Sequence, residues 1–166
     1  GYICQGDTTE IEASGGVTYN WTPIIGLENP ASAETNAYPD STTRYNVDVT
    51  NQYGSVDTIS VVVIINLLPI ADSGTGDTVC YRDSILLNAS GGESYLWSPS
   101  NGLSDTSIAN PKAAPVFSTT YTVLVVNDSG CTSTDTVHIE ILPIPNITTT
   151  GARRICEGEC TLLSAN

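Results

Sequence analysis

The feature that most constrains the fold is an internal repeat with a period of 76 residues. The stretch ASGGVTYNWTPIIGL, residues 13–27, returns as ASGGESYLWSPSNGL at residues 89–103. Cysteines recur at the same interval, at Cys4, Cys80 and Cys156. Because each copy of such a repeat is one structural unit, 166 residues hold two units and the start of a third. The predicted units are residues 1–67, which lack their first strand, residues 68–143, and a partial unit at residues 144–166.

Short runs rich in β-branched residues, bounded by glycine, proline and asparagine, predict β-strands. Beyond Gly54 the copies match best if the second carries two extra residues, so that Asp57 corresponds to Asp135. No window has the period of an amphipathic helix. About seven short strands per unit, with one early tryptophan, indicate an all-β fold of tandem immunoglobulin-like β-sandwiches. The predicted strands are residues 8–13, 18–22, 43–50 and 57–65 in the first unit, and 84–89, 94–98, 119–127 and 135–142 in the second.

Aromatic side chains are expected to form the centre of both sandwiches. The tryptophan of each unit lies on an alternating strand, where a buried ring contributes much of a small core. The tyrosine that opens the penultimate strand matches a tyrosine corner, whose hydroxyl ties the strand to a loop. The predicted core residues are Trp21, Trp97, Tyr45 and Tyr121. The alternative is that the tryptophans are exposed and stack on carbohydrate.

Charge and composition restrict the function. Eighteen acidic residues against five basic ones give a net charge of −13, which argues against nucleic acid and anionic membranes as partners. No apolar run is long enough for membrane insertion. One histidine, His138, and scattered cysteines form neither a zinc site nor a catalytic grouping, so we expect no enzyme and no cofactor. The exception would be Ca²⁺ between repeats, although no Asp-x-Asp-x-Asp loop is present. The candidate carboxylates are Glu28, Asp72, Asp77 and Asp105.

Several motifs together resemble a known family. They are Cys-x-Gly-Asp at Cys4, Ala-Ser-Gly-Gly-x-x-Tyr-x-Trp-x-Pro, Pro-x-x-x-Thr-x-Tyr-x-Val-x-Val, and Gly-Cys-x-x-x-Asp-Thr-Val from Gly130. The combination is similar to the PKD/Ig-like repeats of Bacteroidota cell-surface proteins, which include gliding-motility-associated adhesins exported by type IX secretion. The resemblance implies an extracellular, cell-surface location. The chain departs from the pattern at Cys80-Tyr-Arg-Asp, and at Ser55, where the second copy has Cys131.

Three functions are compatible with this resemblance. We favour a segment of the stalk or filament of a large adhesin, because stiff repeated sandwiches project a tip away from the cell. A spacer in a secreted hydrolase is the second. A polysaccharide-binding module is the third, and its candidate aromatic residues are Tyr2, Tyr38, Tyr53 and Tyr81. Expected partners are neighbouring repeats, surface glycans, and other copies of the chain in a filament. The outward-facing Leu124 and Val126 are the candidate contact residues for another copy or for the neighbouring repeat.

Five cysteines in an extracellular type of chain suggest disulfides. A Cys80–Cys131 bond would join positions at opposite ends of one sandwich, which lie beyond disulfide reach. Repeats stacked end to end bring Cys4 of the first unit toward Cys131 of the second instead. We favour the Cys4–Cys131 bond, with Cys80 awaiting a further repeat, and keep Cys80–Cys131 as the alternative. Cys156 and Cys160 either pair locally or await partners further along the chain.

Nine of the ten aspartates are followed at once by serine or threonine. Six of these steps continue with a methyl-bearing residue, which is similar to the Asp-Ser/Thr-apolar acceptor for O-glycosylation of exported Bacteroidota proteins. The candidate hydroxyls are those of Thr8, Ser41, Thr58, Thr78, Ser84 and Thr136. The alternative is turn chemistry, in which the aspartate accepts a backbone N–H where a strand begins.

Overall fold

The computed structural model describes residues 1–143 and two further short strands, and no helix occurs in this described part. Cys156 and Cys160, with most of the predicted third unit, lie outside the described residues. The strands are β1 Tyr2–Cys4, β2 Thr9–Glu12, β3 Thr18–Thr22, β4 Glu34–Ala37, β5 Thr43–Thr50, β6 Val56–Asn66, β7 Asp77–Cys80, β8 Ile85–Leu86, β9 Ser94–Ser98, β10 Lys112–Ala113, β11 Thr119–Val126, β12 Thr132–Leu142, β13 Thr149–Thr150 and β14 Ser164–Ala165.

The first two units have the same sheet topology. In the first unit a four-stranded sheet in the order β1-β6-β5-β3 faces the pair β2-β4. In the second, the order is β7-β12-β11-β9, and the facing pair is β10-β8. β1 pairs with β6, and β7 with β12, in parallel. The other strand pairs of the two large sheets are antiparallel. Each unit has its own cluster of buried side chains drawn from both sheets, which confirms the predicted all-β, immunoglobulin-like β-sandwich.

The two tryptophans lie at the centres of these cores. Trp21 is 1% exposed and Trp97 is 2% exposed. Each indole N–H donates to a backbone carbonyl eleven residues further on, that of Ser32 at 2.8 Å and that of Ile108 at 3.0 Å. The polar atom of each buried ring is therefore satisfied. Rings buried to this degree have no face available for stacking on carbohydrate.

The two core tyrosines tie a strand to a loop on the same sandwich. Tyr45 and Tyr121 are fully buried, and their hydroxyls donate over 2.9 Å to the carbonyls of Ile25 and Asn101. Burial raises the pKa of both phenols, most of all by desolvation, so both stay protonated as donors. A tyrosine corner bonds the backbone only a few residues upstream, whereas each of these hydroxyls bonds a carbonyl 20 residues upstream, so the contacts tie strand to loop without forming that corner.

The two units keep the 76-residue offset to the end of their last strand. β6 and β12 are both 11 residues long and pair with β5 and β11 in the same register. Asp57 therefore matches Ser133, and Ile59 matches Asp135, so the two-residue insertion inferred after Gly54 is wrong. The motif Asp-Thr-Ile/Val occurs two residues later in β12 than in β6. A shift of two residues leaves each side chain on the same face of the sheet, so the apolar–polar alternation is the same in both alignments and does not distinguish them.

Candidate functional site at the junction of the units

The site is the junction between the two sandwiches, and a disulfide crosses it. Cys4 and Cys131 are bonded, with their Cα atoms 5.6 Å apart and a sequence separation of 127. Cys4 ends β1 beside Asn66, at the pole where the chain leaves the first unit. Cys131 is 1% exposed and follows the turn that joins β11 to β12. Cys80 is exposed and makes no disulfide with any described cysteine.

A second contact connects the same turn to the linker between the units. The Asn127 side-chain amide donates to the carbonyl of Leu67 at 2.9 Å. Its Oδ1 accepts the backbone N–H groups of Ser129 and Cys131, at 3.1 and 2.9 Å, which fixes the turn that carries the cysteine. The corresponding Asn51 in the first unit organises its own turn in the same way. Asn127 therefore shapes the turn and contacts the neighbouring unit with one side chain.

The linker continues as an extended segment against the second unit. Asp72 and Ser90 exchange backbone hydrogen bonds of 3.2 and 2.8 Å across an antiparallel bridge. The next residue, Ser73, is 1% exposed and donates its N–H and its hydroxyl to Asp135 Oδ2, at 2.8 and 2.7 Å. These hydrogen bonds hold the pKa of Asp135 below its ordinary value. A charged acceptor on β12 thus anchors the linker.

Replacing this acceptor, Asp135→Ala, is expected to lower the free energy of unfolding of the second unit by about 1–3 kcal/mol, because it leaves two buried donors of Ser73 without a partner. Asp57→Ala is the matched control, since Asp57 is exposed and accepts only the N–H of Thr58. Urea denaturation of both variants measures the difference. Equal losses in the two variants would show that the Ser73 contact contributes nothing.

The same pair predicts a pH dependence with a definite sign. The carboxyl of Asp135 has a lower pKa when folded than the value of about 3.9 expected in the unfolded chain. Its contribution is therefore complete above about pH 5 and is lost as the pH falls through the folded pKa. The difference in stability between the native chain and Asp135→Ala is expected to shrink below about pH 4. A constant difference from pH 7 to pH 2.5 would contradict this.

The candidate glycosylation hydroxyls are on the surface, with one partial exception. Five of them are exposed, and that of Ser84 is half-buried. Three of the preceding aspartates accept the N–H of the candidate residue itself, over 2.9 Å at Thr58, 2.7 Å at Thr78 and 2.8 Å at Ser84. The Thr58 hydroxyl also donates to Asp48 at 2.6 Å. These aspartates therefore accept a backbone N–H at or near the start of a strand, as the alternative to glycosylation predicts, and the exposed hydroxyls remain accessible to modification.

The carboxylates considered for Ca²⁺ each take part in separate local hydrogen bonds. Among the described residues, no three histidine, cysteine, aspartate or glutamate side chains gather at one point. The acceptor pairs are Glu28 with Asn36, Asp72 with Gly74, Asp77 with Thr78, and Asp105 with Ser107. The bonds from Ser107 lower the pKa of Asp105. The structure therefore does not bring these four carboxylates together.

The candidate contact surfaces are distributed over both units. Leu124 is half-buried and pairs with Leu96, which is 53% exposed, while Val126 is half-buried at the end of the same strand. The tyrosines considered for polysaccharide are exposed to different degrees, Tyr53 at 84%, Tyr2 at 75%, Tyr38 at 49% and Tyr81 at 36%. Each belongs to a different strand or loop. The structure does not gather them into one groove.

Sequence reasoning missed an apolar pocket of about 420 Å³ at the far end of the second unit. Val116 and Phe117 line it, with Tyr81 and Ile141, and the Phe117 side chain is 76% exposed. The signal was available, because the polar residues Asp40 and Ser41 stand at the places of Val116 and Phe117 in the first unit. An apolar pair without a repeated counterpart marks a difference in surface rather than in core.

The described part of the chain contains no helix long and apolar enough to cross a membrane. No family model matches the sequence. No curated protein matches it either.

Several solved structures are similar in fold. The insect immune protein hemolin is 13% identical, with a TM-score of 0.45 over 85% of this chain, which spans 44% of the hemolin chain. A C-terminal fragment of intimin, in complex with the intimin-binding domain of its translocated receptor, is 17% identical, with a TM-score of 0.46 over 87% of this chain and 59% of the fragment. An I-band fragment of titin is 12% identical, with a TM-score of 0.42 over 99% of this chain and 72% of that one. The strand order, the buried indoles and the two separate cores, rather than these likenesses, identify an all-β, immunoglobulin-like fold.

Proposed function

We propose that this chain is a non-catalytic structural segment in the stalk or filament of a large secreted adhesin on a bacterial cell surface. The observation that carries the proposal is the Cys4–Cys131 disulfide across the junction. A pull along the chain enters at β1, crosses the sulfur–sulfur bond and continues into β12, which begins one residue after Cys131. The core of the first unit lies outside this shortest covalent path. Such a connection suits a protein segment that transmits mechanical force along a stalk.

The remaining junction contacts support the same role. The disulfide and the Asn127–Leu67 hydrogen bond join the two units, and the Ser73–Asp135 contact fastens the linker to the second. Between the end of β6 and Asp72 the chain has only five residues, including Pro69. A short linker that is fixed on both sides restricts bending between the sandwiches.

The composition and the repeat pattern fit a surface location. A net charge of −13 with a single lysine keeps such a chain soluble at high local density. Exposed Asp-Ser/Thr steps would carry O-linked glycans, and the resemblance to repeats of type IX-secreted gliding adhesins supports a location outside the cell. Cys80 stands 76 residues after Cys4 at the same position on its own unit, so it would form the equivalent bond with a following repeat.

Residual dipolar couplings measured by NMR test the rigidity on which this function depends. The oxidised chain is expected to fit one alignment tensor for both units, because the junction holds them in a fixed orientation. The variant Cys80→Ser keeps the junction bond and removes the exposed thiol of Cys80, so it serves as the background for all measurements. Alignment of the two units with tensors of clearly different magnitude, while the disulfide is intact, would overturn the role as a stiff segment.

Location has its own test. Antibodies against this chain are expected to label intact, unpermeabilised cells that express the full-length protein, and to mark positions along a surface projection in electron micrographs. Intact mass of material from the native host is expected to exceed the polypeptide mass if the Asp-Ser/Thr steps carry glycans. Labelling that requires permeabilised cells would contradict a surface stalk.

A further inference from the structure

The first unit has an open groove at the place where the second unit holds the linker. The groove has a volume of about 300 Å³, and Ser14, Gly15, Asn51 and Ile59 are among the residues that line it. With the 76-residue offset, Ser14 and Ile59 correspond to Ser90 and Asp135. Those two residues hold Asp72 and Ser73 of the linker segment. The groove is therefore the counterpart of an occupied peptide-binding surface.

Two equivalent glycines, one in each unit, show that the groove is open in the first unit and occupied in the second. Gly15 and Gly91 share a positive φ, of 96° and 104°. A side chain at Gly91 would overlap the carbonyl oxygen of Ile70, whereas a side chain at Gly15 would meet nothing within 4 Å. The close approach that requires glycine at Gly91 thus has no matching neighbour at Gly15 among the described residues.

The backbone of the groove also offers unused hydrogen-bonding groups. Ser90 gives its N–H to Asp72 and accepts the N–H of Asp72 in return. Among the described residues, neither the N–H nor the carbonyl of Ser14 makes a hydrogen bond to protein. An exposed edge with a free donor and acceptor is the usual docking place for an added strand.

We propose that this groove binds an extended peptide segment that pairs with Ser14 and sets an apolar side chain against Ile59, supplied by the polypeptide directly before Gly1 in a longer chain. Binding of such a segment would be independent of the adhesin role. Gly1 corresponds to Asp77, and in the second unit Thr75 and Gly76 alone separate the docked residues 70–74 from β7. A chain arriving at Gly1 would accordingly pass along the groove.

The side chains that line the two sites set different requirements for their peptides. Asp135 selects a hydroxyl, because it accepts two hydrogen bonds from Ser73. Ile59 has no acceptor, and its side chain is 51% exposed in the open groove. Burial of that surface favours an apolar residue at the place of Ser73. A small residue is also expected two positions earlier in the peptide, since Ala71 packs against the core of the second unit.

Adding a copy of residues 68–76 before Gly1 tests the proposal, because the copy has the natural spacing. Four chains are compared, all with Cys80→Ser: one with the copied sequence, one with valine in place of its serine, one with a Gly/Ser extension of equal length, and the unextended chain. The readout is hydrogen exchange of the Ser14 amide, which reports directly on pairing. The valine extension is expected to slow this exchange at least ten-fold relative to the Gly/Ser extension, and to raise the melting temperature of the first unit.

A second part of the experiment changes the side chain that the groove presents to the peptide. In an Ile59→Asp background the preference is expected to reverse, so that the extension with serine protects the Ser14 amide more than the one with valine. Equal exchange rates with the valine and Gly/Ser extensions would overturn the proposal. Protection of Ser14 in the unextended chain that grows with protein concentration, together with a dimer in sedimentation, would assign the groove to a second copy and overturn the source proposed here.

Discussion

Reduction of the Cys4–Cys131 disulfide is expected to lengthen the polypeptide that can be pulled out by force by roughly 420–460 Å, since 127 residues each extend by about 3.3–3.6 Å. In the oxidised chain the load crosses the sulfur–sulfur bond, so the residues between the two cysteines cannot extend even if a sandwich unfolds. After reduction, unfolding of both units releases this length. Single-molecule stretching between the two termini, with and without reductant, measures the difference.

The double variant Cys4→Ser with Cys131→Ser provides the permanent form of the reduced state and is expected to behave identically with or without reductant. Cys80→Ser is the matched control, because it removes an exposed thiol that makes no bond to a described cysteine. It is expected to stretch like the native oxidised chain. Extraction of the full length from the oxidised Cys80→Ser chain would show that the bond does not form in solution, and the load-bearing role would fail with it.

Three of the predicted strands have the observed bounds. Residues 18–22, 43–50 and 94–98 alternate apolar and polar side chains or carry aromatic rings, and β3, β5 and β9 have these bounds. β4 and β10 were missed, because Glu34–Ala37 and the two residues of β10 are too short for a period. β7 was missed, and the prediction that the first unit lacks its first strand is wrong, since β1 is that strand; both are set by parallel pairing with a strand distant in sequence.

The junction was foreseeable only where the repeat itself carried the information. Opposite placement of Cys80 and Cys131 on one sandwich, with repeats stacked end to end, led to Cys4 as the partner, and the structure has this bond. The contact of Ser73 with Asp135 was not foreseeable, because the two residues are 62 positions apart and Asp135 was aligned with the wrong residue of the first unit. Serine and aspartate at turns are too common to indicate a buried pair.

Core residues and junction residues differ in how fully they repeat, which explains why the fold was easier to predict than the junction. Core residues repeat, because both units need the same indole and tyrosine at the same places. Two junction residues, Cys131 and Asp135, do not repeat within this sequence, since Ser55 and Ile59 stand at their places in the first unit, whereas Cys4 and Asn127 recur as Cys80 and Asn51. Repetition therefore reveals the fold, and departures from it mark the surfaces where a unit meets its neighbour.

Trp97→Ala is expected to cost the second unit about 3–5 kcal/mol, because it removes the largest side chain from a packed core and leaves a cavity. A domain of this size is stabilised by roughly 0.05–0.15 kcal/mol per residue, so the loss consumes much or all of its stability. Phe117→Ala is the matched control, since that ring is 76% exposed and its removal is expected to change the stability by about 0.5 kcal/mol or less.

The variant also tests whether the two cores fold independently, because Trp21 is then the one tryptophan left in the chain. Its fluorescence reports the first unit alone. Separate hydrophobic clusters predict that the Trp21 transition in urea keeps the midpoint of the native chain while the amide spectrum of the second unit collapses. A Trp21 midpoint that falls together with the second unit would instead show that the disulfide and the linker couple the sandwiches into one cooperative body, and the proposed division at residues 67 and 68 would have to be abandoned.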